Sequence, residues 1–260
     1  MRRLVPLLLF ATVAAATAAA NELTDCAQDH IATLKIAGCT KLIAANPGLA
    51  VAYSNRADGL IALGQTQLAI ADYSRAVTLD PKLAAALYNR GLVYLSSGDA
   101  ELALADFDQV IRLSGSDATA YNGRGMASVA VGKLDAAAAD FAKAIELDPN
   151  YARAYLSRAT LNLRLGRYMA ASNDFEAVLR LHPGDHDGLL GRALAAGGSQ
   201  VLEATGSANV MDSAETQIDP DAGPAKRHSG QRHRIAAHMQ PVAGALAACE
   251  RAGLQIVLSH

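Results

Sequence analysis

Four prolines divide the middle of this chain at regular intervals. Pro47, Pro81, Pro149 and Pro183 are separated by 34, 68 and 34 residues, and Gly115 stands at the midpoint of the long interval. A fixed period of this length is typical of stacked repeats, in which each unit contacts only its neighbours. The spacing therefore predicts a row of similar units with an extended surface, and it argues against a single core that encloses a pocket.

Residues between the prolines align in columns when the chain is divided into blocks that begin at Ala50, Ala84, Ala118 and Ala152. The columns hold an arginine, a glycine or alanine, a glycine, an alanine, an aspartate and an aromatic residue. In the second block these residues are Arg90, Gly91, Gly98, Ala103, Asp106 and Phe107. The glycine is expected to end one helix in a left-handed conformation, and the proline to end the next. Each block is thus predicted to be a pair of antiparallel helices, with Asp99 as the N-cap of a second helix.

These columns resemble the tetratricopeptide repeat. The aromatic, small, alanine, aromatic and proline positions of that family are matched by Tyr53, Ala57, Ala69, Tyr73 and Pro81, and the match recurs in three further blocks. The stretch 88–91, Tyr-Asn-Arg-Gly, is similar to repeats of exported bacterial members. The resemblance implies an all-α fold, a right-handed α-solenoid of tandem helix-turn-helix repeats. Gly115, Ser128 and Asn162 depart from the family pattern and are expected to loosen the third and fourth units slightly.

Both ends of the chain depart from the repeat. Residues 1–20 begin with two arginines, continue with an apolar stretch and end in alanines, which is typical of a cleaved signal peptide. A retained anchor is the alternative, and no other segment is apolar enough to span a bilayer. The predicted divisions are a signal peptide at 1–20, a shortened capping unit at 21–49, four full repeats and a partial fifth at 50–196, an irregular or disordered segment at 197–241, and a possible helix at 242–260. The mature chain is expected in the periplasm or outside the cell.

Histidines accumulate after the repeats. Residues 197–232 are rich in Gly, Ser, Asp and Ala and lack a sustained helical period, which predicts an irregular segment. His228, His233 and His238 are spaced by five residues, so a helix would not place them on one face as it does zinc-binding pairs four apart. Phosphate-binding glycine loops and hydrolase motifs are missing as well. We expect no cofactor, metal site or catalytic residue, and a metal-binding or enzymatic role of this tail is the alternative.

Two of the three cysteines lie in the shortened capping unit. Aligned with the full repeats, Cys39 falls in the aromatic column, and Cys26 falls in the first-helix column of Leu60 and Tyr94. Those columns face each other within a helix pair, so a Cys26–Cys39 disulfide is predicted for an exported chain. The family resemblance supports the bridge, because similar exported repeat proteins often carry such a cysteine pair. Two reduced, buried cysteines are the alternative, and Cys249 has no evident partner.

The arginine and aspartate columns recur once in every unit, as a packing rule would. Asp72 precedes Arg90 by 18 residues, and the same offset recurs in the following units. This offset joins the second helix of one unit to the first helix of the next. The columns are therefore predicted to form ion pairs between adjacent units, and a ladder that binds carboxylate or phosphate is the alternative.

The resemblance also implies that the first helix of each unit lines a concave groove, which binds an extended peptide or a partner's helix. Asn55 and Asn89 are expected either to hold a ligand's backbone or to hydrogen-bond to a neighbouring unit. The predicted groove residues are Ser54, Asn55, Asp58, Ile61, Tyr88, Asn89, Leu92, Leu95, Asn122, Met126, Val129, Arg153, Leu156, Thr160 and Leu163. Their mainly apolar middle suggests a peptide with apolar anchors.

The function predicted from these features is a non-enzymatic scaffold or adaptor in the cell envelope that binds a protein or peptide partner. An accessory subunit of one envelope complex is the alternative. The formal net charge of −2 provides no basic field for nucleic acid or for an anionic membrane. The oligomeric state and the identity of the partner do not follow from the sequence.

Overall fold

The computed structural model describes residue 22, residues 24–27 and residues 31–215, and all regular secondary structure in these ranges is helical. Residues 24–27 are helical. The helices that follow are α1 (Ala32–Ala45), α2 (Ala50–Ala62), α3 (Thr66–Leu79), α4 (Ala84–Ser97), α5 (Ala100–Ser114), α6 (Ala118–Ala130), α7 (Leu134–Leu147), α8 (Ala152–Arg164), α9 (Tyr168–Leu181) and α10 (His186–Glu215). The predicted all-α fold of tandem helical hairpins is confirmed. The predicted signal peptide at 1–20 lies outside the described residues.

The described helices belong to two compact parts of the chain, which divide between Ser157 and Arg158 within α8. In the N-terminal part, α2–α3, α4–α5 and α6–α7 form hairpins, and each helix packs mainly against those that precede and follow it. Among the first helices, α4 also contacts both α2 and α6. In the C-terminal part, α9 packs against α10. This near-neighbour packing is what the period of the sequence predicts.

Glycines close the first helix of every full unit as predicted. Gly64, Gly98, Gly132 and Gly166 have φ between +68° and +88°, a left-handed conformation that residues with a side chain rarely adopt. Gly115, which replaces proline in its column, also has a positive φ of +66° and ends α5 at Ser114. Proline cannot adopt that angle. The substitution therefore gives the third unit a different turn.

The helix caps differ from the prediction at one position. Asp99 occupies the N-cap of α5, but its side chain makes no capping hydrogen bond. The carboxylate of Asp117 does cap α6, because its Oδ1 accepts hydrogen bonds from the backbone N–H groups of Thr119 and Ala120. Whether an aspartate at the N-cap makes the capping hydrogen bond depends on the rotamer of its side chain as well as on the residue type.

The aromatic column forms the centre of the packing. The ring of Phe107 is fully buried and lies between Gly91 of its own hairpin and Gly123 of the next. A Cβ atom at these glycines would lie 3.1 Å and 2.6 Å from Phe107 Cε1. The ring therefore fills the space between consecutive first helices, which approach closely because their facing residues are small.

The N-terminal cap contains the two cysteines of the predicted bridge. Their Sγ atoms lie 2.08 Å apart, a distance compatible with a disulfide, and Cys39 is fully buried. Gly38 beside it has no room for a side chain, since a Cβ atom there would lie 2.8 Å from the backbone nitrogen of Cys26. Residues 24–27 are thus packed closely against α1.

Helix α10 extends further than predicted. The sequence predicted an irregular segment from residue 197, but the helix continues from His186 to Glu215. A Cβ atom at Gly191 would lie 2.2 Å from the ring of Phe175, and one at Gly198 would lie 2.4 Å from the ring of Tyr168. These glycines allow α10 to approach α9, and this packing outweighs their weak helix propensity. The predictions for residues 216–241 and 242–260 fall outside the described residues.

Candidate functional site

A recurring face of the first helices carries most of the predicted groove residues. Positions spaced by four and then three residues share one side of a helix. In the N-terminal part, this first-helix face consists of Ser54, Asp58 and Ile61 on α2, Tyr88, Leu92 and Leu95 on α4, and Asn122, Met126 and Val129 on α6. The middle helix α4 contacts both α2 and α6. Their faces therefore belong to adjoining surfaces.

The apolar members of the first-helix face remain accessible. Ile61 is 36% exposed and Leu92 is 37% exposed. Tyr88, Leu95, Met126 and Val129 are half-buried, as is Leu156 near the end of this part. Ser54 and Asn122 are buried, with 5% and 2% exposure, so they lie beneath the surface that the sequence predicted them to line. In the C-terminal part, Thr160 is exposed and Leu163 is half-buried on α8.

Two of the three asparagines of the predicted groove, Asn55 and Asn89, bind other parts of the protein. Asn55 Nδ2 donates to the carbonyl oxygen of Cys26 at 3.3 Å, and Asn89 Nδ2 donates to Asp58 Oδ1 at 3.0 Å. Both bonds cross to a neighbouring unit, which is one of the two roles expected from the sequence. The predicted contact with a ligand's backbone would have to use the remaining amide atoms.

Asp58 is held from two sides. The Tyr73 hydroxyl donates to Asp58 Oδ1 at 2.5 Å, beside the bond from Asn89. Burial raises the pKa of Tyr73, and the hydrogen bond to Asp58 raises the pKa further. The neutral phenol is therefore the stable form, and its hydrogen bond to Asp58 joins the two helices of the first unit. The bond from Asn89 joins Asp58 to the first helix of the second unit.

The arginine and aspartate columns pair within each hairpin, so the prediction of pairs between adjacent units is wrong. Arg90 Nε and Nη2 donate to the two carboxylate oxygens of Asp106 at 2.8 Å and 2.7 Å. The same bidentate pairing joins Arg56 to Asp72, Arg124 to Asp140 and, in the C-terminal part, Arg158 to Asp174. The aspartate 16 residues later lies opposite the arginine in the same hairpin. The aspartate 18 residues before each arginine, on the second helix of the preceding unit, pairs instead with the arginine of its own hairpin.

The arginines do reach the preceding unit, through a column that the sequence analysis overlooked. Arg90 Nη1 donates to Ser74 Oγ at 3.1 Å, and Arg124 Nη1 donates to Asp108 Oδ1 at 2.7 Å. Arg56 Nη1 reaches Thr40 Oγ1 at 3.4 Å in the same way. The polar residues two positions after Asp72 and Asp106 were the available signal. Each of these guanidinium groups thus holds a hairpin together and also contacts its neighbour, a structural role that uses most of its donors.

A polar cluster lies beside the first-helix face, at the start of α8. Its members are Tyr88, Asn122, Tyr151 and Arg153, and sequence reasoning missed Tyr151 because the residue stands in a turn. The Thr119 side chain hydrogen-bonds to the Tyr88 hydroxyl, and the Asn122 side chain hydrogen-bonds to the Tyr151 hydroxyl. The charges of Arg153 and Asp117 act on both phenols with opposite effects on the pKa. Burial is the main cause that raises the pKa of both tyrosines. Both hydroxyls therefore remain protonated and able to donate near neutral pH.

Two absences within the described ranges bear on function. Within residues 22, 24–27 and 31–215, no group of three or more His, Cys, Asp or Glu side chains is placed to hold a metal ion. In the same ranges, no helix combines the length and apolar character needed to cross a membrane. His228, His233 and His238 of the tail lie outside the described residues.

Comparison with known protein families agrees with the fold. A model described as "TPR repeat" matches residues 57–98, and models described as "Tetratricopeptide repeat" match residues 93–152 and 141–171. No curated protein matches the sequence.

Solved structures show the same architecture. MamA from Desulfovibrio magneticus is 22% identical with a TM-score of 0.59, and the alignment covers 66% of this chain and 97% of that one. TTC0263, a TPR protein of Thermus thermophilus, is 20% identical with a TM-score of 0.55, covering 64% and 90%. YrrB, described as a TPR protein with an unusual peptide-binding site, is 25% identical with a TM-score of 0.51, covering 60% and 81%.

Proposed function

Because this chain belongs to the tetratricopeptide repeat family, we propose that it is a non-enzymatic scaffold whose first-helix face binds an extended peptide or a helix of a partner protein. Repeats of this family support protein–protein interaction as the general role. The cell envelope is the proposed location, since residues 1–20 have the pattern of an export signal.

The observation that carries this proposal is the exposure of apolar side chains on adjoining first helices. Ile61 and Leu92 are each more than a third exposed, and the half-buried Leu95, Met126 and Val129 extend the apolar area across α4 and α6. Apolar side chains that recur at matching positions of consecutive helices form a continuous strip, and burial of such a strip is a source of binding free energy. The peptide-binding site in the description of YrrB supports the same class of ligand.

Capture of a partner from an envelope extract tests the surface. The mature chain, from residue 21, serves as bait beside a variant with Leu92→Asp and Met126→Asp. Charges at the centre of the strip should abolish capture, because the partner would have to bury an unpaired carboxylate. The matched control carries Leu68→Asp and Leu102→Asp, two leucines of second helices that are 58% and 50% exposed.

The two variants separate the possible outcomes. The control should retain its partner, and both variants should keep helical circular dichroism and a cooperative melt. If Leu92→Asp with Met126→Asp captures the same partner as the unmodified chain, the first-helix face is not the binding surface. N-terminal sequencing of the chain expressed in a bacterium tests the location, and a mature protein that begins at Asn21 is the expected result.

A further inference from the structure

Helix α10 begins as the first helix of a fifth unit, but no second helix follows it in the part of the chain that the structure describes. In the second unit the chain turns back at Gly98, and the equivalent position of the fifth unit is Gln200. A residue with a side chain rarely adopts the left-handed conformation of that turn. The helix therefore continues to Glu215, and the fifth unit is half of a hairpin.

One side of α10 is exposed where the equivalent side of the other first helices is buried. Ala193 is exposed, whereas Ala57 and Ala159 in the same column are 0% exposed. Leu189 is 43% exposed, whereas Leu87 in its column is 2% exposed. Residues spaced by three or four positions share one side of a helix. We call this side the terminal face, and it consists of Leu189, Arg192, Ala193 and Ala196.

The terminal face carries an arginine without a counter-charge. Arg192 is exposed and forms no ion pair with any residue in the described ranges. The column arginine of every full unit makes a bidentate pair with the aspartate 16 residues later. In the fifth unit that position holds Ala208, and the aromatic position after it holds Asn209. The chain thus lacks both side chains that complete the other hairpins.

The first unit shows what a face of this composition packs against. Arg56 Nε and Nη2 donate to the two carboxylate oxygens of Asp72, at 2.6 Å and 2.8 Å. The next residue in each helix, Ala57 and Tyr73, belongs to one buried cluster. A helix that carries an aspartate followed by an aromatic residue therefore satisfies the arginine and covers the alanine together.

This chain has no spare pair of that kind. An aspartate followed directly by an aromatic residue occurs four times in the sequence, at 72–73, 106–107, 140–141 and 174–175. All four pairs are buried in their own hairpins. After Glu215 the sequence contains no Phe, Tyr or Trp. Neither the C-terminal tail nor a second copy of the folded chain therefore offers the side chains that match the terminal face.

We infer that the terminal face binds a helix of a different protein, one that carries an aspartate followed by an aromatic residue, and that this helix completes the fifth hairpin. Arg192 pairs with the aspartate of the partner, and the aromatic ring covers Ala193. Bidentate pairing of a guanidinium with a carboxylate fixes orientation as well as adding affinity. The terminal face lies on α10 and is separate from the first-helix face, so this inference goes beyond the proposed function.

A peptide with the sequence of α7 is the probe for this inference. Residues 134–147 form a helix whose buried side consists of Ala137, Asp140, Phe141 and Ala144. The peptide, blocked at both ends and labelled with a fluorophore, should bind the full mature chain saturably. Its Asp140→Asn and Phe141→Ala versions should each bind about tenfold more weakly, because one loses a charge-assisted contact and the other a buried ring.

Arg192→Gln in the protein completes a double-mutant cycle with the peptide. The unmodified peptide should bind this variant about tenfold more weakly, and Asp140→Asn in the peptide should then have no further effect, because both changes remove the same contact. Arg180→Gln is the matched control, since it removes the same charge from an exposed position on α9. Absence of saturable binding, equal loss in both arginine variants, or fully additive effects would overturn the inference.

Ala193→Leu tests the place of the ring without changing a charge. The side chain is exposed, so the melting temperature should stay close to that of the parent, but the larger residue should block the peptide. The variant with Leu92→Asp and Met126→Asp should still bind the peptide. Loss of binding in that variant, or full binding by Ala193→Leu, would show that the peptide occupies another surface.

Thermal melts and sedimentation distinguish the other occupants of the terminal face. Arg192→Gln should leave the melting temperature unchanged, whereas Arg90→Gln breaks the pair with Asp106 and should melt lower. An equal decrease in both variants would show that a segment of this chain already holds Arg192. Self-association that Arg192→Gln abolishes would identify a second copy as the occupant. Either result would overturn the inference of a foreign helix.

Discussion

Gly123 lies directly against the ring of Phe107 in the preceding unit. A Cβ atom at Gly123 would be 2.6 Å from Phe107 Cε1 and 2.8 Å from Cζ, distances that real Cβ atoms do not show. The ring is fully buried and is bordered on its other side by Gly91. The junction between α4 and α6 therefore closes only because the residue at position 123 has no side chain.

Gly123→Ala should lower the free energy of unfolding by about 1–2 kcal/mol. Alanine is favoured over glycine within a helix by about 1 kcal/mol, but overpacking against a fixed ring costs about 1–3 kcal/mol. Chemical denaturation followed by circular dichroism measures the difference. The control is Gly197→Ala in α10, where a Cβ atom would meet nothing within 4 Å and where the change should be neutral or stabilising. A Gly123→Ala protein more stable than the parent would show that the junction is loosely packed.

Asp106→Asn should be strongly destabilising. The side chains of Arg90 and Asp106 are 16% and 7% exposed, and the variant leaves a largely buried guanidinium without its counter-charge. Loss of one partner of a buried pair typically costs about 3 kcal/mol or more. Glu146→Gln tests an exposed pair with Lys143, at 69% and 38% exposure, and should leave the melting temperature close to that of the parent, because solvent screens this pair. Similar thermal melts for both variants would contradict a structural role of the arginine column.

Alkaline pH should weaken the fold through its buried phenols. Burial, followed by the hydrogen bond to Asp58, raises the pKa of Tyr73 above its ordinary value of 10.0. A raised pKa means that the folded state favours the neutral hydroxyl, so this stabilisation is present below pH 10 and declines as the pH rises further. Urea denaturation between pH 7 and pH 11 should show the decline, and Tyr73→Phe should make it smaller. A decline of the same size in Tyr73→Phe would assign the effect to other groups.

Reduction should loosen the N-terminal cap selectively. A bridge across 13 residues contributes about 3 kcal/mol in the chain-entropy model. Cys26→Ser with Cys39→Ser, or a reductant, should therefore increase hydrogen exchange in α1 and leave α6 unchanged, because the units of a repeat array unfold in part independently. A thiol assay on the oxidised, denatured mature chain should find one reactive cysteine of three. Three reactive thiols would exclude the bridge.

Much of the architecture follows from the sequence period. The columns predicted where each hairpin begins and ends, the left-handed glycines and the aromatic ring between units, because these features repeat in register and need only local rules. The partner of each arginine did not follow, since offsets of 16 and 18 both connect neighbouring helices and only the rotation of the helices decides between them. The same limit applies to Asn89, whose bond to Asp58 depends on the approach of α4 to α2.

The amino-acid sequence by itself determined the class of fold and the order of the hairpins, because helix ends, periodicity and small-residue columns are properties of short segments. Only the tertiary structure decided which residues of the first-helix face remain exposed, that Asn122 is buried, and that α10 continues through its glycines. These outcomes depend on distances between helices. Such distances are set by side chains that are far apart in the chain, so a short sequence pattern does not predict them.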